Sequence, residues 1–96
     1  MKVEKVYTSA IGKLYKETQN NCDLDKIVTD IYTSIEFEIK TGQLLPITID
    51  AEVIRGRSSK DLDYIEDQLK ALGCVGEFLF EKKLGGKIEY ILRDFL

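Results

Sequence analysis

Few residues in this chain could carry out chemistry. Its 96 residues include no histidine, so a general acid or base near neutral pH would have to be a carboxylate or lysine with a strongly shifted pKa. The two cysteines, Cys22 and Cys74, are far apart in the sequence and lack a histidine that could activate them or share a zinc ion. The sequence therefore predicts a protein that is not an enzyme and holds no metal or cofactor.

The segment "RGRSSK" is a candidate anion-binding turn. Arg55, Arg57 and Lys60 surround Ser58, and Asp61 follows Ser58 by three positions, the spacing of a helix N-cap with an acidic residue in the first turn. Free N–H groups and the dipole at a helix start favour a phosphate or carboxylate. The GxxxxGK[ST] pattern is absent, so the turn is not a P-loop.

A second basic segment, "FEKKLGGKIEYI", predicts a β-hairpin turning at Gly85-Gly86. A two-residue turn would mix apolar and charged residues on each face. A three-residue loop instead pairs Leu84 with Ile88 and Phe80 with Leu92, which gathers the apolar residues on one face. A glycine is expected at the left-handed position of this loop. The segment carries three lysines: Lys82, Lys83 and Lys87.

Apolar spacing predicts the helices that come first. Apolar residues recur three and four positions apart within residues 3–14, which indicates one helix. The polar run "TQNNCD" then interrupts this pattern. A period of four over residues 27–39 indicates a second helix, with Asp23 as its N-cap and Gly42 just past its end. Residues 35–40 also alternate, so a strand there stays open.

The rest of the chain predicts a strand, a helix and the hairpin. After Pro46, "ITIDAEVI" alternates as a half-buried strand does, and "SSKDLDYIEDQLKALG" follows with an apolar stripe of helical period that ends before Gly73. The sequence therefore predicts one α+β domain over residues 1–96, in which two N-terminal helices precede a β-α-β-β unit.

Residues 50–92 also resemble a winged-helix domain, with a helix over 50–56, a turn, a helix over 59–72 and the hairpin "VGEFLFEKKLGGKIEYIL" as the wing. The most similar pieces are "LKALGCV" and "KIEYILRD". The resemblance implies a DNA-binding regulator whose wing lysines contact phosphates. Helical structure at 50–56 would favour this interpretation, and a strand paired with the hairpin would favour a protein-binding module.

Acidic and apolar positions suggest a protein partner. The formal net charge is −3, and the third predicted helix is acidic on its exposed face. Leu79 and Ile91 project from the second face of the hairpin, where a helix, a partner or a second copy could cover them. The acidic candidates are Asp61, Asp63, Glu66 and Asp67.

The sequence as a whole favours a small non-enzymatic binding or regulatory protein that acts on another protein or on itself. The alternatives are the winged-helix DNA-binding regulator and a small anion or nucleotide sensor. The start "MKVEKVYTSAIG" lacks the apolar run of a signal peptide, and no stretch has the length of a membrane span, so a cytoplasmic location with free thiols is expected.

Overall fold

The computed structural model describes residues 10–96, apart from the side chains of residues 12, 13 and 15–20. This part of the chain is α+β, with two α-helices and a three-stranded antiparallel sheet. The helices are α1 (Ala10–Lys40) and α2 (Ser59–Ala71), and the strands are β1 (Ile47–Asp50), β2 (Cys74–Phe80) and β3 (Ile88–Phe95). A 3₁₀ turn, Glu52–Ile54, lies between β1 and α2.

The two predicted N-terminal helices are a single helix over the described residues. The interruption predicted at "TQNNCD" is wrong, because α1 runs through it and Asp23 is not an N-cap. These residues include no glycine or proline, and each other residue type costs at most about 0.7 kcal/mol in a helix. The alternative strand at 35–40 is also wrong. The part of the predicted first helix before Ala10 lies outside the described residues.

The predicted end of this helix at Gly42 is confirmed. Gly42 has a left-handed φ of +91°. The amides of Gly42 and Gln43 donate to the carbonyls of Ile39 and Glu38 at 3.0 Å each, the two hydrogen bonds of a Schellman motif. The end of α1 is therefore specified by a few neighbouring residues.

The sheet has β3 in its centre, with the strand order β1-β3-β2. β1 is shorter than its alternating sequence suggested, and it pairs Ile49 with Tyr90 of β3. Beyond it, the Asp50 carboxylate accepts a hydrogen bond from the Glu52 amide at 2.9 Å and begins the 3₁₀ turn. The segment 50–56 is thus neither a full strand nor a full helix. It begins with the last residue of β1 and continues into one 3₁₀ turn.

The predicted hairpin register is wrong. Phe80 lies opposite Ile88 instead of Leu92, so the connection is the longer loop 81–87. Two contacts account for the observed register. The Glu81 amide donates to the Lys87 carbonyl at 3.0 Å, which closes the loop. The rings of Phe78 and Tyr90, directly opposite each other, also meet edge to face with centroids 5.3 Å apart.

The inward face of the hairpin is nevertheless largely as predicted, because the register differs by an even number of residues and the side-chain period of a strand is two. Four of the six predicted inward residues are buried: Phe78, Ile88, Tyr90 and Leu92. The other two, Phe80 and Leu84, are exposed at the end of the hairpin. Gly85 has the left-handed φ expected of a glycine in this loop, +69°.

The buried side chains form one hydrophobic core between the sheet and the two helices. Among the described side chains of α1, those in this core begin at Leu24, and every described side chain of residues 10–23 is exposed. The molecule is consequently elongated. Its radius of gyration is 16.0 Å, whereas a compact chain of this length has about 12.5 Å.

The predicted N-cap of α2 is confirmed, because the Ser58 hydroxyl accepts a hydrogen bond from the Asp61 amide at 3.2 Å. Ser58→Ala removes this acceptor, and we expect the free energy of unfolding to fall by about 1 kcal/mol and the Tm by about 4–8 °C. Thermal denaturation followed by circular dichroism measures the change. Ser59→Ala, one residue into the helix, is the matched control and should cost less than about 0.5 kcal/mol. Equal losses in the two variants would contradict a capping role.

Candidate functional site

Two basic segments that are far apart in the sequence meet at one end of the molecule. The Arg55 guanidinium donates through Nη2 to the carbonyl of Gly86, in the hairpin loop, at 2.6 Å. Its other partner is Glu52, which it binds with Nε to Oε1 and with Nη2 to Oε2. We call the cations of the two joined segments the tip surface. They are Arg55, Arg57, Lys60, Lys82, Lys83 and Lys87.

The sheet places the two segments side by side. β1 runs antiparallel to β3, so the end of β1 at Asp50 lies opposite Glu89, next to the hairpin loop. The 3₁₀ turn then leads to Arg55 and to the start of α2. Within the loop, Gly86 is buried, and a Cβ there would lie 2.5 Å from the Glu81 Cβ and 2.9 Å from the Glu81 carbonyl oxygen. A glycine is therefore needed where Arg55 contacts the loop.

The tip surface is positively charged although the whole chain is not. Segments 52–61 and 81–87 contain six cations and three carboxylates, whereas the formal net charge of the chain is −3. Each carboxylate pairs with a cation of its own segment: Glu52 with Arg55, Asp61 with Arg57 at 3.7 Å, and Glu81 with Lys83 at 3.7 Å. No ion pair is described for the remaining three cations, which are Lys60, Lys82 and Lys87.

The Glu52–Arg55 pair stays ionised near neutral pH. The hydrogen bond from Arg55 lowers the pKa of Glu52, and the same bond raises the pKa of Arg55. Both side chains are about half exposed, so the pair contributes little to stability. Its effect is geometric, since it orients the guanidinium that joins the two segments.

The predicted anion-binding residues make separate contacts in the structure and do not converge on one point. Ser58 caps α2, and Arg55 contacts Glu52 and the hairpin loop. Arg57 is near Asp61, and Lys60 is exposed in the first turn of the helix. Both arginines therefore already have carboxylate partners, and this arrangement does not favour a dedicated small-anion site.

The predicted acidic surface of α2 is divided. Asp63 and Asp67 are exposed, whereas Asp61 is half-buried beside Arg57. Glu66 is also half-buried. Its burial raises the pKa of its carboxyl group, while a hydrogen bond with the Phe78 backbone lowers it. Glu66 lines an open pocket of about 290 Å³ together with five other residues: Asp67, Lys70, Cys74, Val75 and Gly76.

The outer face of the sheet offers only a small apolar area. Leu79 is 37% exposed and lies opposite Glu89, and the half-buried Ile91 lies opposite Glu77. Glu77 in turn pairs with Arg93 at 3.1 Å. Each of the two apolar side chains thus has a charged residue opposite it on the neighbouring strand.

Sequence reasoning missed a more exposed apolar surface on α1. Ile11 is 73% exposed and Leu14 is 56% exposed, and both precede the part of α1 that enters the core. The spacing of these two residues was visible in the sequence. The spacing by itself did not indicate an exposed surface, because the apolar side chains of an amphipathic helix normally pack against the core of the protein.

No family model matches the chain, and no curated protein or solved structure is significantly similar to it. Among the side chains that the structure describes, no group of three or more histidine, cysteine, aspartate or glutamate residues is arranged to hold a metal ion. Neither described helix is both long enough and apolar enough to cross a membrane. The tip surface and the exposed residues Ile11 and Leu14 of α1 are the features that can support a functional proposal.

Proposed function

We propose that this protein is a small, non-enzymatic cytoplasmic regulator that binds DNA through its tip surface. The observation that carries the proposal is the hydrogen bond from Arg55 to the Gly86 carbonyl, which joins two basic segments into one surface. A basic surface on an otherwise acidic protein concentrates positive potential where phosphates would bind. The exposed lysines of this surface carry their charge on long, flexible side chains. Such side chains can reach the phosphates of a DNA backbone without requiring one fixed geometry.

The element order supports a winged-helix arrangement. A strand, one helical turn, a helix and a hairpin follow each other as β1, Glu52–Ile54, α2 and β2–β3. In this interpretation the helix expected over 50–56 is reduced to the 3₁₀ turn, α2 takes the place of the recognition helix, and the loop 81–87 is the wing. β1 extends the wing into a three-stranded sheet.

The charges of α2 restrict how DNA would be bound. Asp63 and Asp67 are exposed along the helix and would repel phosphates. Lys60, in the first turn of α2, lies in the segment that Arg55 joins to the loop. The binding surface is therefore the start of α2 together with the wing, and contacts to the phosphate backbone supply most of the affinity.

A DNA titration tests this proposal. We expect a labelled mixed-sequence duplex to bind the protein with an affinity that falls steeply with salt, as measured by fluorescence anisotropy. The triple variant Lys82→Ala/Lys83→Ala/Lys87→Ala should bind at least about tenfold more weakly. The slope of log K against log salt should shrink by about 3, or about 1 for each phosphate that a lysine no longer neutralises.

The matched control is Lys26→Ala/Lys40→Ala/Lys70→Ala, which removes the same charge at exposed positions outside the joined segments. This variant should retain the wild-type salt slope. An equal fall in affinity in both triple variants would show a general charge effect without a specific surface. Absence of binding by the wild-type protein at low salt would overturn the proposal.

Protein–protein interaction is the second candidate function, and the exposed apolar residues of α1 favour it. Ile11 and Leu14 are more exposed than Leu79 and Ile91, the residues that the sequence suggested for this role. The two candidate functions use separate surfaces, because the tip surface is formed by the 3₁₀ turn, the start of α2 and the hairpin loop. One molecule can therefore perform both.

A further inference from the structure

Leu84, in the hairpin loop, is the most exposed of the large apolar side chains that the structure describes. It is 106% exposed, and the next most exposed, Leu44, is 83% exposed. A single exposed leucine needs no explanation by itself, because apolar side chains are scattered over the surface of most proteins. The backbone that holds Leu84 and the charges beside it therefore decide whether it has a role.

A hydrogen-bonded turn holds Leu84 at the end of the hairpin. The Gly86 amide donates to the Lys83 carbonyl at 2.9 Å, so Leu84 and Gly85 are the two central residues of a four-residue turn. Gly85 has a φ of +69°, and Leu84 does not have a positive φ, which is the pattern of a type II turn. Leu84 therefore lies at the corner of this turn, with its side chain in solvent.

Three further hydrogen bonds fix the base of the turn. The Arg55 guanidinium donates to the Gly86 carbonyl at 2.6 Å. The Glu81 amide donates to the Lys87 carbonyl at 3.0 Å, and the Lys87 amide donates to Oε2 of Glu81 at 3.4 Å. A loop held in this way has little freedom left to lose when it binds a partner. The structure thus presents a leucine on a preorganised support.

Exposed lysines lie on both sides of Leu84 in the loop. Lys82 and Lys83 precede it, and Lys87 follows it. The centre of a protein–protein interface is depleted of charged residues, so a single leucine among three lysines does not suit a protein partner. The lysines suit a phosphate backbone, and the apolar surface nearest to such a backbone is the stacked faces of the bases. DNA can therefore satisfy the lysines and the leucine together.

We propose that Leu84 inserts between two base pairs of bound DNA from the minor groove, partly unstacks them and bends the duplex. The minor groove is only about 6 Å wide, which excludes a helix but admits one side chain at the end of a turn. Apolar wedges that enter base steps in this way bend the duplex by about 20–90°. This inference rests on the proposed function, and it adds contact with the bases to contact with the phosphates.

Energy transfer between dyes at the two ends of a short duplex measures the bend at saturating protein. We expect the wild-type protein to bring the ends closer, as a bend of at least about 20° does. Leu84→Ala removes the wedge and keeps every lysine, so it should bind with the wild-type salt slope and leave the duplex as straight as free DNA. The matched control is Leu44→Ala, which truncates an exposed leucine outside the joined segments and should bend DNA normally.

The stiffness of the DNA gives a second measurement that does not depend on charge. A TA step unstacks more easily than a step between G·C pairs, and two duplexes that differ only in their central steps carry the same phosphates. The wild-type protein should bind the duplex with central TA steps at least about threefold more tightly than the G·C duplex. Leu84→Ala should bind both equally, whereas Leu84→Phe keeps an apolar wedge and should keep both the preference and the bend.

The possible results separate this inference from the proposed function. Leu84 is fully exposed, so its variants should unfold at the wild-type temperature, which thermal denaturation checks. If the wild-type protein bound DNA without bending it, or if Leu84→Ala bent it equally, the inference would be overturned and DNA binding would stand. Equal loss of the bend in Leu44→Ala would also overturn it. Absence of binding by the wild-type protein at low salt would overturn both proposals.

Discussion

Gly76→Ala is expected to lower the free energy of unfolding by about 3 kcal/mol or more. A Cβ at Gly76 would lie much closer to the Ile91 carbonyl oxygen than van der Waals contact allows, and 2.7 Å from both Cζ and Oη of Tyr90. One obstacle is backbone, and the other is a ring that is only 1% exposed, so neither can move without disturbing the sheet or the core. The expected fall in Tm is about 12–24 °C.

The backbone at Gly76 explains this crowding. The register of β2 against β3 shifts between Val75, which lies opposite Asp94, and Gly76, which lies opposite Leu92. Val75→Ala is the matched control, because it changes the neighbouring residue at a partly exposed position and should cost less than about 1 kcal/mol. Chemical denaturation monitored by circular dichroism measures both variants. A Gly76→Ala protein as stable as the wild type would contradict the close approach of Tyr90 to this strand.

Cooperative unfolding at alkaline pH is the second expected result with a large effect. Burial raises the pKa of Tyr90, and the nearby acidic groups of Cys74 and Glu66 raise it further. A group whose pKa is higher in the folded state than in the unfolded state contributes full stability below its unfolded pKa, about 10 for tyrosine. That stability is lost as the pH rises above about 10, because the unfolded chain releases the proton more readily.

The titration should show the Tyr90 phenolate forming together with the loss of helical circular dichroism. Tyr90→Phe removes the ionising group, so its unfolding midpoint should move to higher pH by about one unit, at a cost near neutral pH of about 1 kcal/mol. Tyr64→Phe is the matched control. The pKa of Tyr64 is also raised, mainly by its hydrogen bond to Asp25, but Tyr64 is only half-buried, so the control should shift the midpoint less.

Cys74 is a second source of alkaline sensitivity, because burial raises the pKa of its thiol as well. Its contribution has the same sign and is lost above about pH 9. Cys74→Ala therefore separates the two groups, since a transition that remains in this variant does not come from the Cys74 thiol, and its loss in Tyr90→Phe would then assign it to the phenol. If Tyr90→Phe unfolded at the same alkaline pH as the wild type, the buried phenol would not be the cause of the transition.

Helix ends and the glycine of the hairpin loop were the most predictable parts of the fold. Gly42 after α1, Ser58 before α2 and Gly85 in the hairpin loop all have the conformation or hydrogen bond expected of them. Each depends on a few neighbouring residues and on backbone geometry that only certain residue types adopt readily. The continuity of α1 was missed because a polar run weakens a helical pattern without preventing the backbone hydrogen bonds.

The hairpin register could not be predicted from its apolar pattern. Alternation specifies which side chains share a face, and every register that differs by an even number of residues satisfies it equally. Selecting among those registers requires the contact between Phe78 and Tyr90 and the hydrogen bonds that close the loop. The glycine pair indicated the turn, yet it lies inside a loop longer than the shortest one that the pattern allowed.

The sequence by itself determined the α+β class, the local signals at the helix ends, the buried face of the hairpin and the identity of two basic segments. Only the tertiary structure joined those segments, through a hydrogen bond between residues 31 positions apart. It also left Ile11 and Leu14 outside the core. Local patterns depend on neighbouring residues, whereas these two features depend on how β1 and α1 pack against the rest of the chain, which no short stretch of sequence specifies.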